Sequence, residues 1–141
     1  MSTQHHSAID VSETLRSHGI SPTAQRVAIA SLLFSRCTHL SAEEIHRLVN
    51  EGEGQRASKA TVYNTLGLLA RKGVIREVIA DPDRVFYDPN TRPHHHFYDV
   101  DTGCLSDIDA SSVDILGLPS LPAGTELEGV DVIVRLRSAS K

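Results

Sequence analysis

Three consecutive histidines lie in the run Arg92-Pro93-His94-His95-His96-Phe97-Tyr98-Asp99, and what they can do depends on the backbone beneath them. On an extended strand successive side chains point to opposite faces. His94 and His96 then share one face, and His95 takes the other. Two imidazoles at i and i+2 on a strand can reach one metal ion, whereas a helix needs i and i+4 for the same task. The run is internal and bounded by alternating residues, which sets it apart from a tag remnant or a polar loop. Metal or haem ligation is the chemistry it offers.

Few other chemistries are open. The only cysteines, Cys37 and Cys104, have no neighbour at the two-residue spacing of a thiolate zinc site or a redox motif, so a four-cysteine zinc site is excluded. They read as reduced core or edge residues. The N-terminus lacks the apolar core of a signal peptide, and no run of about 18 apolar residues occurs, so the expectation is a soluble, cytoplasmic chain with no membrane partner. With no Trp, three Tyr and three Phe, the interior must be mostly aliphatic. Residues 1–88 carry ten Lys/Arg and ten Asp/Glu, whereas residues 89–141 carry four against eight. Any nucleic-acid contact therefore falls to the first part, because phosphate contacts supply most of such affinity.

The elements that must position these residues follow from spacing. Val11, Leu15 and His18 with Gly19 mark a first short helix. Ser21-Pro22 offers a cap and a first-turn proline for a second helix, running to about Arg36 with Val27, Ala30 and Phe34 as its apolar stripe and Ile29 and Leu33 beside it. Ser41-Ala42-Glu43-Glu44 has capping-box spacing for a third helix, with Ile45, Leu48 and Val49 inward and an end near Gly52. Ser58 caps a fourth, closed by Arg71 and Lys72 before Gly73, with Val62, Leu66 and Leu69 inward. That leaves Arg56, Ser58, Lys59, Thr61, Tyr63 and Asn64 to face elsewhere with the groups that groove readout uses. A solvated helix face is the competing reading of this segment alone.

The order of elements decides between them. Val74–Ile79, a turn at Asp81-Pro82-Asp83, and Val85-Phe86-Tyr87 form a hairpin directly after the fourth helix. Short helices followed by a hairpin describe a winged helix-turn-helix whose last helix enters the major groove, with wing residues such as Arg84 near phosphates. After a linker, Phe97–Val100 and Leu105–Ile108 flank Asp101-Thr102-Gly103 as a second hairpin, a short helical or irregular piece holds Val113, Ile115 and Leu116, and Pro119 and Pro122 stop it. Val130, Val132, Val134 and Leu136 then form one apolar side of a long strand. This part has only about 50 residues, too few to bury a core alone, so its strand faces complete themselves against a second copy, predicting a homodimer. The expected fold is α+β, with a winged-helix DNA-binding domain over 1–88, a linker over 89–92, and a small α/β dimerisation and metal- or haem-sensing domain over 93–141.

Taken together, Ser21-Pro22-Thr23-Ala24-Gln25-Arg26, Ala60-Thr61-Val62-Tyr63-Asn64-Thr65-Leu66 and His94-His95-His96-Phe97-Tyr98 make the chain resemble the ferric uptake regulator (Fur) superfamily over nearly its whole length. Within it, the triple histidine, Leu105–Ile108 and Leu118–Gly124 running into Val130–Leu136 resemble the iron response regulator (Irr) branch. The resemblance implies a regulatory metal site at His39, Asp88, His94, His96 and Asp107. Three imidazoles and two carboxylates suit Fe(II), Mn(II) or Zn(II). Many relatives also hold a structural zinc with two Cys-x-x-Cys pairs; here Asp99 and Thr102 take the first pair's places and the second is missing. The N-terminal Cys-Pro haem motif of some Irr proteins is absent too, which leaves haem to His94, His95 and His96 as axial ligands.

The Irr resemblance implies a dimeric transcription regulator of iron and haem metabolism genes, bound to double-stranded operator DNA when iron is scarce, inactivated by haem, and with ferrochelatase as a protein partner. The alternative within the superfamily is a Fur-like or peroxide-sensing repressor that binds DNA when Fe(II) or Mn(II) is loaded. A metal-dependent hydrolase fits poorly, since five protein ligands leave little open coordination and no Ser or Cys nucleophile sits beside a histidine. The chain is expected not to be an enzyme. A metal or haem storage module is the third class, distinguished by the absence of any sequence-selective DNA binding.

Overall fold

The computed structural model describes residues 8–35, 39–52 and 54–139. They fall into two compact units, Met1–Thr91 and Arg92–Lys141. Among the described residues no helix is long and apolar enough to cross a membrane.

The first unit opens with α1 (Ala8–Ser17), whose Val11 and Leu15 are buried one turn apart. Gly19 ends it at φ +76°, and the left-handed turn lets the Ile20 amide donate to the Leu15 carbonyl at 2.9 Å. The second helix, α2 (Ala24–Phe34), starts later than Ser21-Pro22 suggests, because Thr23 is the cap: its hydroxyl accepts from the Arg26 amide at 3.2 Å. The Ser21 carbonyl is instead held by the Arg26 guanidinium at 3.0 Å and the Thr23 amide at 3.1 Å, which keeps Pro22 outside the helix. The buried stripe is Ile29, Ala30 and Leu33, with Val27 and Phe34 half-buried at its margin. Ser35 closes the helix, and Arg36 lies outside the described residues.

A two-residue strand, β1 (Leu40–Ser41), leads into α3 (Ala42–Glu51). The capping box is complete: the Ser41 hydroxyl accepts from the Glu44 amide at 3.3 Å, and the Glu44 carboxylate accepts from the Ser41 amide at 3.1 Å. From the last turn of α3 the Asn50 side chain donates to the Ala57 carbonyl at 2.8 Å and accepts from its amide at 3.1 Å. That pair pins the approach to α4 (Lys59–Arg71), whose Val62, Leu66 and Leu69 are fully buried and whose end runs into Gly73 at φ +78°. Strands β2 (Arg76–Asp81) and β3 (Arg84–Asp88) form the expected hairpin, and β1 adds to the far side of β3, giving the order β1-β3-β2. Val11, Leu15, Ile29, Leu33, Ile45, Val62, Leu66, Leu69 and Ile75 belong to one aliphatic core.

The second unit is a three-stranded sheet in the order β5-β4-β6. β4 (His95–Asp99) begins two residues earlier than its aromatic alternation indicates and pairs antiparallel with β5 (Leu105–Ile108). The turn between them closes on Asp99, whose carboxylate accepts from the amides of Asp101 and Thr102, and Gly103 supplies φ +73°. Asp99 and Thr102 thus close this turn by their own hydrogen bonds. After a single 3-10 turn at Ala110–Ser112, residues 113–132 carry no regular element, a length over which Gly117 and Gly124 adopt positive φ and Pro119 and Pro122 withhold amide donors. The last strand, β6 (Ile133–Leu136), is shorter than the 130–137 alternation suggests and runs parallel to β4, with His96 opposite Ile133.

Candidate metal centre and nucleic-acid face

In the first unit the register of β1 on β3 brings two donors together. Leu40 pairs with Tyr87, so the residues one step outward, His39 and Asp88, meet side by side. His39 Nε2 lies 3.3 Å from Asp88 Oδ2, both side chains are buried, and the other Asp88 oxygen accepts from the Asn90 amide at 2.8 Å.

In the second unit His96 sits directly across the ladder from Asp107. Both His96 Nε2 and His94 Nε2 face the same oxygen, Asp107 Oδ1, at 3.4 and 3.1 Å, and the two rings pack edge to face with centroids 4.5 Å apart. His94 Nδ1 lies 2.7 Å from the Arg92 carbonyl, an acceptor, so that nitrogen carries the hydrogen and Nε2 turns toward the carboxylate. A ring nitrogen lone pair facing a carboxylate oxygen is repulsive unless a proton or a cation stands between them. At His94 the opposite ring nitrogen is held by a backbone carbonyl, as metal-ligating histidines are. The imidazole nitrogens and carboxylate oxygens of both clusters are donors that suit a divalent cation.

His95 points away from its neighbours, as strand alternation demands. It is not, however, a free imidazole: its Nδ1 accepts from the Val132 amide at 3.0 Å, filling a place in the β6 edge, and the residue is buried. An axial role for His95 toward haem is thus left to Nε2 alone.

The exposed side of α4 carries the residues expected to meet nucleic acid. Arg56, Ser58, Lys59, Tyr63 and Asn64 are exposed and Thr61 is half-buried. Ser58 and Thr61 are engaged with each other, since the Ser58 hydroxyl accepts from the Thr61 amide at 3.1 Å and donates to Thr61 Oγ1 at 2.9 Å. Thr61 and Asn64 open onto a cleft of about 310 Å³ whose other wall is Thr23, Gln25 and Arg26 from the start of α2. Gln25 donates to the Arg56 carbonyl at 2.8 Å, tying that start to the segment before α4. Spacing within α4 could not show this wall. The available signal was the polar Thr-Ala-Gln-Arg run at the start of a helix preceding the candidate reading helix. Glu43 was hidden too: inside a capping box it passes for a first-turn acid, yet its carboxylate accepts from the Tyr63 hydroxyl at 2.6 Å.

Residues 17–121 match the ferric uptake regulator family, and the chain belongs to that family, whose members are metal-responsive transcription regulators and not enzymes. It is 29% identical over 109 residues to the peroxide operon regulator of Bacillus subtilis, covering 77% of this chain and 74% of that protein. Against the peroxide-responsive repressor PerR of Staphylococcus saprophyticus it is 28% identical over 114 residues, covering 81% and 76%. The fold superposes on the ferric uptake regulator of Vibrio cholerae with a TM-score of 0.69 at 18% identity, over 90% of this chain and 98% of that one. For the Pseudomonas aeruginosa regulator, solved with manganese, the TM-score is 0.64 at 22% identity, over 91% and 97%.

Proposed function

We propose that the protein is a homodimeric regulator that reads duplex operator DNA through α4 and answers to a divalent ion held by His39, Asp88, His94, His96 and Asp107. The observation that carries the metal half is the convergence of His94 and His96 Nε2 on one Asp107 oxygen, which leaves a cation-shaped requirement among three donors. His39 and Asp88 supply a second nitrogen and oxygen pair. Nitrogen and oxygen donors of this kind suit Fe(II), Mn(II) or Zn(II), and zinc competes strongly in purified protein. When bound, the ion supplies a fixed positive centre.

In the proposed regulator the helices and hairpin of the first unit act as a winged helix-turn-helix. Lys59 and Arg56 reach guanine or phosphate, the Tyr63 ring meets a thymine methyl, Asn64 meets the cleft wall, and the Ser58–Thr61 pair sets the helix end against the backbone. The exposed Leu116, Leu118, Leu121 and Leu127 of the second unit support dimerisation, since a chain acting alone leaves them in water. The place of action is the cytoplasm.

Two signs of response are open to such a molecule. Its relatives among peroxide-responsive repressors support the first, in which Fe(II) or Mn(II) loading favours DNA binding and oxidation near the iron releases it. The second, Irr-like sign, with activity under iron limitation, withdrawal by haem and ferrochelatase as partner, is supported by three contiguous buried histidines where two suffice for the ion. A titration of selected duplex DNA against apo, Mn(II)-loaded and haem-treated protein separates them. Affinity that rises with Mn(II) and ignores haem supports the first sign; affinity that needs no Mn(II) and falls with haem replaces it by the second. No selective DNA binding under any loading overturns both.

A further inference from the structure

Tyr63 does not stand alone on the exposed side of α4. Its hydroxyl donates to Glu43 Oε1, 20 residues back in the chain, at 2.6 Å. A contact this short belongs to the charge-assisted class. The bond is the largest cause of two opposite shifts: it holds the Glu43 carboxyl below its ordinary value, with nearby Lys59 adding to the effect, and pushes the Tyr63 phenol up. Glu43 is itself well placed to hold anything, because the capping box beginning at Ser41 fixes the first turn of α3.

Two physical consequences follow. A phenol whose only hydrogen is committed to a carboxylate has none to give to a phosphate or a base acceptor. What Tyr63 then presents outward is its ring. A carboxylate on a face that approaches polyanionic DNA is also electrostatically unfavourable unless it has work to do there. Solvation of Glu43 alone would not need the hydroxyl of a residue on another helix.

We propose that Glu43 is a positioning residue for sequence reading: by accepting the Tyr63 hydroxyl it orients that ring on α4 so that it meets a thymine methyl and withholds its hydroxyl from the backbone. The inference rests on the reading of α4 as the helix that contacts DNA, and it adds a second helix, α3, to the parts that determine which base is preferred.

The probe is the tightest duplex that the full-length protein with Mn(II) selects from a randomised pool, made also with uracil in place of thymine. Affinities are measured for wild type, Glu43→Ala, Glu43→Gln, Tyr63→Phe, the Glu43→Ala/Tyr63→Phe double variant and Tyr63→Ala. Because both residues are exposed, circular dichroism is expected to show unchanged folds. Glu43→Ala and Tyr63→Phe should each weaken binding about fivefold, the size expected from ordering one side chain in advance. The double variant should lose no more than either alone. Glu43→Gln still offers an acceptor and should keep most of the affinity, while the penalty for uracil shrinks in Glu43→Ala and Tyr63→Phe. Tighter binding by Glu43→Ala, the result of simply removing an anion, overturns the proposal, as does additivity of the two single losses. If Tyr63→Ala destroys binding and Glu43→Ala leaves it unchanged, only the positioning role falls. If Tyr63→Ala binds as wild type does, the reading of α4 falls with it.

Discussion

The stretch up to Thr91 and the stretch from Arg92 bury different kinds of side chain. The first packs Leu15, Ile29, Ile45, Val62, Leu66, Leu69 and Ile75 into one aliphatic cluster, with polar burial concentrated at a few places such as Asp88. The second buries Tyr98, Leu105 and Ile108 beside three histidines, and leaves Leu116 and eight other large apolar residues exposed. Hydrophobic burial suffices to hold the first, whereas the second joins a thin core to groups that are costly to bury unless they are satisfied. One module is held together by its own core, which suits the reading role proposed for it. The other is built to depend on what it binds.

The largest test of that contrast is in the aliphatic core. Leu66→Ala should cost about 3 kcal/mol in chemical denaturation, the usual loss for a leucine with no exposure; a cost below about 1 kcal/mol would mean the first unit is not carried by this cluster. Next comes the donor set. Outer-shell losses already weaken metal sites by 10–100-fold, so His94→Ala with His96→Ala should reduce Mn(II) or Zn(II) affinity by at least about 100-fold, measured by competition with a chromophoric chelator. The far-ultraviolet helical signal, which comes from the first unit, should persist in that variant. Unchanged metal affinity would overturn the sensing role proposed for the second unit.

Smaller effects sharpen the comparison further. Leu116→Asp combined with Leu118→Asp should raise the dimer dissociation constant by about tenfold in sedimentation equilibrium, since charge at an apolar contact is disfavoured. A dimer indifferent to both charges would place the contact elsewhere. The smallest effect concerns pH. The lowered Glu43 carboxyl contributes above its unfolded value of 4.5 and loses its contribution as pH falls through the folded value, while the raised Tyr63 phenol contributes below 10.0 and loses its contribution as pH rises through its own folded value. Between those limits the difference in DNA affinity between wild type and Tyr63→Phe should be flat. A slope near neutrality would show that another group, such as a histidine, governs the contact.

Helix order, both hairpins and the caps at Ser41 and Ser58 were legible in the chain, because capping and period are local signals. The start of α2 was not, since Ser21 and Thr23 both offer a capping hydroxyl, and the side-chain grip of Arg26 on the Ser21 carbonyl, which spacing does not show, accompanies the choice of Thr23. The length of β6 was overestimated because alternation persists through residues 130–132, whereas the Val132 amide is diverted from the ladder to the His95 side chain. At the site, His94, His96 and Asp107 could be proposed one by one, but their convergence depends on the register of β4 and β5. The committed Nδ1 of His95 and the link from Glu43 to Tyr63 each join residues tens of positions apart, beyond any spacing rule.

The pairing of Leu40 with Tyr87 has a further consequence. His39 and Asp88 become neighbours only once β1 has zipped onto β3 in that one alignment, and a slip of a single residue would throw them to opposite sides of the ribbon. A half-made chain, or one whose hairpin has frayed, therefore lacks this pairing of imidazole and carboxylate. If an ion is held there as proposed, its capture doubles as quality control on the first unit.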